Sequence, residues 1–281
     1  MIRFAGPVLV MLASIAVGWL ALMLLAQRDG RFFRIATPVL FGFLILWLWQ
    51  VACVGFGIPR VLLPAPSAVA RAFVVHAGML RVDFWQTVVR SVLPGWIIGC
   101  GAGFLVALLL DRSPFLRRGI LPLGNLVSAM PIVGIAPIMV MWFGFDWQSK
   151  AAVVVVMTFF PMLVNTIAGL EQSAPMERDL MRSYAAGYGT TLAKLRLPMA
   201  LPFVFTALKL NSTLALIGAI VAEFFGTPIV GMGFRISTEV AKFNLDIVWA
   251  EIALAAVVGS LSFAALAGLE RAATFWHPSF R

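Results

Sequence analysis

Residues 179–202, DLMRSYAAGYGTTLAKLRLPMALP, form a polar stretch that leads into an apolar run at Leu197-Pro198. The chain around it is 62% hydrophobic with a mean hydropathy of +0.99. Connections between packed elements are short as a rule. An insertion of this size, rich in Arg, Ser, Tyr, Gly and Thr, marks a surface built to touch something outside the membrane.

Only 12% of the residues are charged, about half the fraction of a soluble domain. Seven apolar segments, roughly 5–26, 35–57, 88–110, 119–143, 149–169, 199–225 and 245–268, approach or exceed the ~20 residues that cross a bilayer as helix. The alternation of a membrane β-barrel is absent, so the spans are helical and satisfy their own backbone. The fold class is an all-α polytopic membrane protein with about seven transmembrane helices. The first segment exceeds the ~7–15 apolar residues of a signal peptide and lacks a clean cleavage site, so it reads as a retained span.

The net charge of +9 is scattered over loops, which argues for topological sorting and against nucleic acid. With 27–34 cytoplasmic, twelve Lys and Arg fall inside and seven outside. The N-terminus is then outside and the C-terminus cytoplasmic, with 170–198 facing the cytoplasm. The chain divides into two N-terminal spans (1–58), an outer connection (59–87), a core (88–269) that contains the polar segment 175–198, and a tail (270–281). Ser67 is expected to cap a short surface helix in the outer connection. Cys53 and Cys100 read as small buried hydrophobes. Together with the distant His76 and His277 they make no metal site.

Gly95, Gly99, Gly103 and Ala107 recur every four residues and form a smooth stripe for close helix approach, within the subunit or across a dimer. Segment 119–143 holds Pro122, Pro131 and Pro137, which break a helix and are tolerated where the segment lines a cavity or is buried in protein. Asn125, Ser128, Met130, Pro131, Asn165, Asn211 and Thr213 are candidate pathway residues, since intramembrane polar groups turn inward. Singly, each also fits an interhelical hydrogen bond. Lys209 reads as snorkelling towards the cytoplasmic headgroups or a polar interior, and Glu223 as reaching the outer interface; no charged pair within the spans is apparent. Phosphate loops, GxSxG and HExxH are absent, so the chain carries no catalytic residues and no ATP site of that type.

Asp179 to Pro198 resembles the cytoplasmic signature of ATP-binding-cassette importer permeases, EAA-x3-G-x9-I-x-LP. Asp179 stands at the Glu, Leu180 and Met181 at the two Ala, Ala185 at the Gly and Leu195 at the Ile, with Leu197-Pro198 closing it. LPAPSAV (63–69), MPIVGIAPIMVMWFGF (130–145), FFPMLVNTIAGL (159–170) and ALIGAIVAEFFG (215–226) resemble the branch importing nitrate, sulfonates, taurine and thiamine-pyrimidine precursors. The first span looks like an addition to that family's plan.

The resemblance implies a five-helix permease core with cytoplasmic coupling helices, in the bacterial inner membrane. Asp179, Arg182, Ser183, Tyr184, Ala185, Ala186, Gly187, Leu197 and Pro198 would then meet the ATPase. Implied partners are cytoplasmic ATPase subunits holding ATP and Mg, a second permease copy, a periplasmic or lipid-anchored binding protein, and membrane lipid. The chain itself would bind no cofactor. The substrate class is a small organic solute, leaning towards a thiamine-pyrimidine precursor over nitrate or taurine. The rival from another class is a stand-alone secondary transporter or channel, which intramembrane charged pairs or an inverted repeat would favour. A membrane-embedded enzyme lacks its catalytic set.

Overall fold

The computed structural model describes residues 2–28, 30–128, 130–226 and 229–276, and every regular element among them is helical. Helix α1 (Ile2–Ala26) pairs with α2 (Arg31–Gly55), followed by α3 (Pro66–Val75) and α4 (Ala77–Phe84). A π-helical turn, Trp85–Val92, joins α4 to α5 (Leu93–Arg112). Then come α6 (Pro114–Ser128), α7 (Ile132–Phe143) and α8 (Trp147–Leu170). After α9 (Pro175–Ser183) and α10 (Tyr188–Thr191), a second π-helical turn, Leu192–Arg196, enters α11 (Leu197–Glu223). The last helices are α12 (Met232–Ala241) and α13 (Leu245–Ala273).

Among the described residues, six helical stretches are long and apolar enough to cross a membrane. The expected broken segment over 119–143 forms two shorter helices, α6 and α7, interrupted before Pro131. Proline there removes a backbone donor and disfavours helix in the residue before it. Two other spans are longer than expected, because α4–α5 runs helically from Ala77 to Arg112 and α10–α11 from Tyr188 to Glu223.

The chain forms two compact units. The first comprises Met1–Met79 with Thr238–Ile252. In it α1 and α2 meet where Pro7 covers Gly55 and Leu44 covers Gly18; the Trp49 and Trp249 rings pack at a tilt, 4.8 Å between centroids. Ser67 does not cap α3. Ala65 holds the N-cap position and Pro66 opens the helix, while Ser67 exchanges two hydrogen bonds of 3.0 Å with the Gln50 amide. Proline suits that first position because its missing N–H has no helical partner to lose.

The second unit comprises Leu80–Ser237 with Ala253–Arg281. Its centre is α8, whose Val153, Val154, Leu163 and Leu170 are fully buried. Lipid is as apolar as leucine, so such helices associate by close packing. The glycine stripe does this work inside one subunit. A Cβ on Gly95 would lie 2.7 Å from the Ala151 carbonyl oxygen, and one on Gly99 would overlap the Thr158 hydroxyl and stand 2.8 Å from the Val155 carbonyl. Gly103 meets the Phe159 carbonyl in the same way, and Ala107 packs with Leu110, Phe160, Leu163 and Ile167. On the other side of α8, Gly169 admits Ala200 of α11.

Gly99→Ala should therefore destabilise the protein by about 1–3 kcal/mol, the usual cost of overpacking a tight contact. Gly101→Ala, with nothing within 4 Å of its added methyl, should melt in detergent like the wild type. Equal melting of the two variants would place the stripe on lipid instead of on α8.

Candidate coupling and translocation site

Helix α9 is set by its ends. Pro175 starts it, and the Glu177 carboxylate turns back to accept the Ala174 N–H at 2.8 Å. Arg182 donates to Asp179 at 3.0 Å and the Ser183 hydroxyl to the Asp179 carbonyl at 3.1 Å. At the other end the Ala186 N–H reaches the Met181 carbonyl at 3.0 Å and the Ala185 N–H the Arg182 carbonyl at 2.8 Å. That is a Schellman ending, which requires a left-handed residue at the position after the cap. Ala185 occupies it with φ +52°. The signature places glycine at this very position, and the backbone shows the reason. Alanine adopts it at a cost of roughly 1–2 kcal/mol.

Asp179, Arg182, Ser183, Tyr184, Ala185 and Gly187 are exposed and Ala186 partly so. Met176, Leu180 and Tyr184, spaced by four, form an uncovered apolar stripe in which Met176 is 80% and Tyr184 78% exposed. Gly187 has open space around it.

The expected coupling segment 175–198 ends in a helix continuous with a span. From Tyr188 the chain is helical through Leu197 and Pro198 into α11. The Tyr188 hydroxyl donates to Asp111 at 2.8 Å, and Arg196 donates to both Asp111 oxygens at 2.7 Å and to the Leu170 carbonyl at 3.1 Å. One carboxylate thus ties the last turn of α5 to the start of α11, with the end of α8 held by the same arginine. Arg117 pairs with Glu171 beside it, and that hydrogen bond raises the arginine's pKa above its ordinary value. No local sequence pattern singled out Asp111 or Arg196, which lie 85 residues apart.

The pathway candidates separate. Met130, Pro131 and Thr213 are exposed, and Asn165 is half-buried with its amide donating to the Pro161 carbonyl at 2.8 Å. Thr206, Leu210, Thr213 and Ile217 make one exposed stripe along α11, which adds Thr206 to the expected set. Asn211 belongs elsewhere. It is fully buried and donates to the Thr158 carbonyl at 2.8 Å and to Cys100 Sγ at 3.2 Å, binding α5, α8 and α11 together. The side chains of Asn125 and Ser128 lie outside the described residues.

Charged pairs, none of which was apparent in the sequence, are present. Of the two readings of Lys209 the polar interior holds, since it donates to the largely buried Glu270 at 2.6 Å. Glu223, the last residue of α11, turns into the protein and is 2% exposed. It accepts the Thr87 hydroxyl at 2.8 Å and the Gly233 N–H at 2.7 Å. Asp83 accepts the Gly231 N–H at 2.7 Å and Arg235 at 2.9 Å, while Thr87 accepts the Met232 N–H at 2.8 Å. These carboxylates take up the orphan amides that begin α12.

Residues 95–274 match the family of binding-protein-dependent transport system inner membrane components. The formylaminopyrimidine transport permease protein ThiX of Halalkalibacterium halodurans is 29% identical over 246 residues, covering 88% of this chain and 98% of the relative. A probable ABC transporter permease protein of Haemophilus influenzae is 30% identical over 219 residues, 78% of this chain and 89% of its own. The riboflavin transport system permease protein RibX of Chloroflexus aurantiacus is 30% identical over 244 residues, 84% and 88% respectively. The chain belongs to the binding-protein-dependent inner membrane component family. It is a multi-pass permease subunit of an ABC importer, a transport component that works with ATPase and substrate-binding subunits.

Asp111→Ala and Arg196→Ala should each leave a poorly solvated charge and cost up to roughly 3–5 kcal/mol, whereas the double variant should cost less than the sum. Melting of the four proteins in detergent measures the coupling, and strict additivity would show that the two side chains do not stabilise the junction together.

Proposed function

We propose that two copies of this chain enclose a solute pathway and that α9 docks into a separate ATPase subunit. The Met176, Leu180 and Tyr184 stripe carries this reading. It is an uncovered apolar face on an otherwise polar helix, with an aromatic anchor of the kind that dominates protein contacts. Nucleotide-driven closure of the ATPase pair moves α9. The motion passes through Tyr188 and Arg196 to Asp111, and so to α5, α8 and α11. ATP and Mg stay on the ATPase; this chain holds no cofactor and does no chemistry. A periplasmic or lipid-anchored binding protein delivers the solute on the opposite face, with the N-terminus outside and the C-terminus cytoplasmic.

The pathway face comprises Met130, Pro131, Asn165, Thr206 and Thr213. The α11 part of it offers hydroxyls and apolar surface without a cation. Sulfonates and other anions call for arginine or lysine in such a face. A neutral, small heteroaromatic solute of the pyrimidine type fits better, and the names of the formylaminopyrimidine and riboflavin relatives support that class.

Ala185→Asp keeps the chain inserted but puts a carboxylate in the docking surface. Burying it unpaired costs several kcal/mol, enough to weaken ATPase binding by orders of magnitude. Copurification of the ATPase and solute uptake in proteoliposomes should both fall. Retention of both would remove α9 as the coupling element.

Cysteine placed at Gly30 or Ser113 should be labelled only from the cytoplasmic side. Labelling of either in intact cells by an impermeant reagent would reverse the topology without touching the family assignment.

A further inference from the structure

The first compact unit carries a groove of about 560 Å³ whose polar lining is Arg60, Ser67, Arg71, His76 and Asp246. Arg60 and Arg71 are exposed, and neither forms an ion pair among the described residues. The one carboxylate, Asp246, accepts the Ile247 N–H at 3.0 Å. The groove is therefore net positive. Its surroundings are apolar and uncovered: Val61, Leu62, Val74 and Val75 are all exposed, Leu62 by 70% and Val74 by 75%. Arginine beside bare aliphatic side chains is the pattern of a surface lying at the boundary between headgroups and acyl chains.

A second, apolar furrow of about 500 Å³ runs between α1 and α2 and is lined by Ala13, Val17, Gly18, Leu44 and Trp47 among others. Trp47 lines its wall and donates to Ser14 at 3.1 Å. One helical turn further along α2, Gln50 binds Ser67, and Ser67 lines the basic groove. A turn is about 5 Å, so the two depressions follow one another along α2.

We propose that this unit binds one anionic phospholipid, its phosphate against Arg60 and Arg71 and an acyl chain in the α1–α2 furrow. A strongly hydrated free phosphate would leave the furrow unused, and an acidic protein surface would leave the aliphatic rim exposed. The site is independent of which solute is carried.

The experiment titrates the detergent-purified protein with phosphatidylglycerol or phosphatidylcholine and follows retained lipid by native mass spectrometry. Two arginines near a headgroup predict a preference of about 30-fold for phosphatidylglycerol. Arg60→Gln with Arg71→Gln should abolish that preference while leaving the melting temperature without lipid unchanged, since both side chains are exposed. Ala13→Phe, which fills the furrow, should weaken both lipids alike. Equal retention of the two lipids by the wild type, an unaltered preference in the double variant, or full competition by inorganic phosphate would overturn the proposal. So would a double variant that loses only binding of the substrate-binding protein.

Discussion

The second unit depends on the contact between the glycine face of α5 and the backbone of α8. Apolar surface gains little by leaving lipid for another helix, so backbones must come close enough for dispersion and short polar contacts to act. Three glycines and Ala107 allow that approach, and α8 is then free to use its opposite side on α11. The hydrogen bonds of Asn211 to Thr158 and Cys100 sit at this meeting point and are possible only because no side chain intervenes.

Ion pairs and carboxylate contacts concentrate near helix ends. Asp111, Arg196, Arg117 and Glu171 gather where α5 and α8 finish and α11 begins, while Asp83, Glu223 and Arg235 gather where α11 finishes and α12 begins. Charge is expensive at bilayer depth and cheaper near its edges. Apart from Lys209, which meets Glu270 from the middle of α11, the middles of the spans are packed and the ends are clamped. The segment that follows α9 therefore meets a firm junction before the span of α11 begins.

Features with a local period were legible in the sequence. The four-residue glycine spacing, the apolar runs, and the polar segment with its closing Leu197-Pro198 all repeat or terminate within a few turns. The structure gave the stripe its partner and gave Ala185 its left-handed backbone. Long-range pairings were not legible: Asp83 to Arg235 spans 152 residues and Lys209 to Glu270 spans 61. Asn211 was read for its polarity alone, because nothing in its neighbourhood announces Cys100. Ser67 has the composition of a cap, yet Gln50, brought near by the α2–α3 connection, claims it first. The ends of two spans were misplaced because their polar first turns, at 77–87 and 188–198, look like loop in composition while remaining helical.

Those two stretches share the π-helical turns Trp85–Val92 and Leu192–Arg196, where an N–H reaches back five residues instead of four. Such a turn accommodates one residue more than an α-helix needs, and so sets the rotational phase of everything after it. Each residue in a helix advances the azimuth by about 100°. The direction faced by the stripe at Thr206, Leu210, Thr213 and Ile217 is consequently determined by a count of residues at the mouth of α11, just after α9 and α10 in the chain. Tightening that turn to α-helical pitch, without breaking the helix, would swing the stripe about its axis. A push at the membrane surface would then arrive at mid-bilayer as a twist.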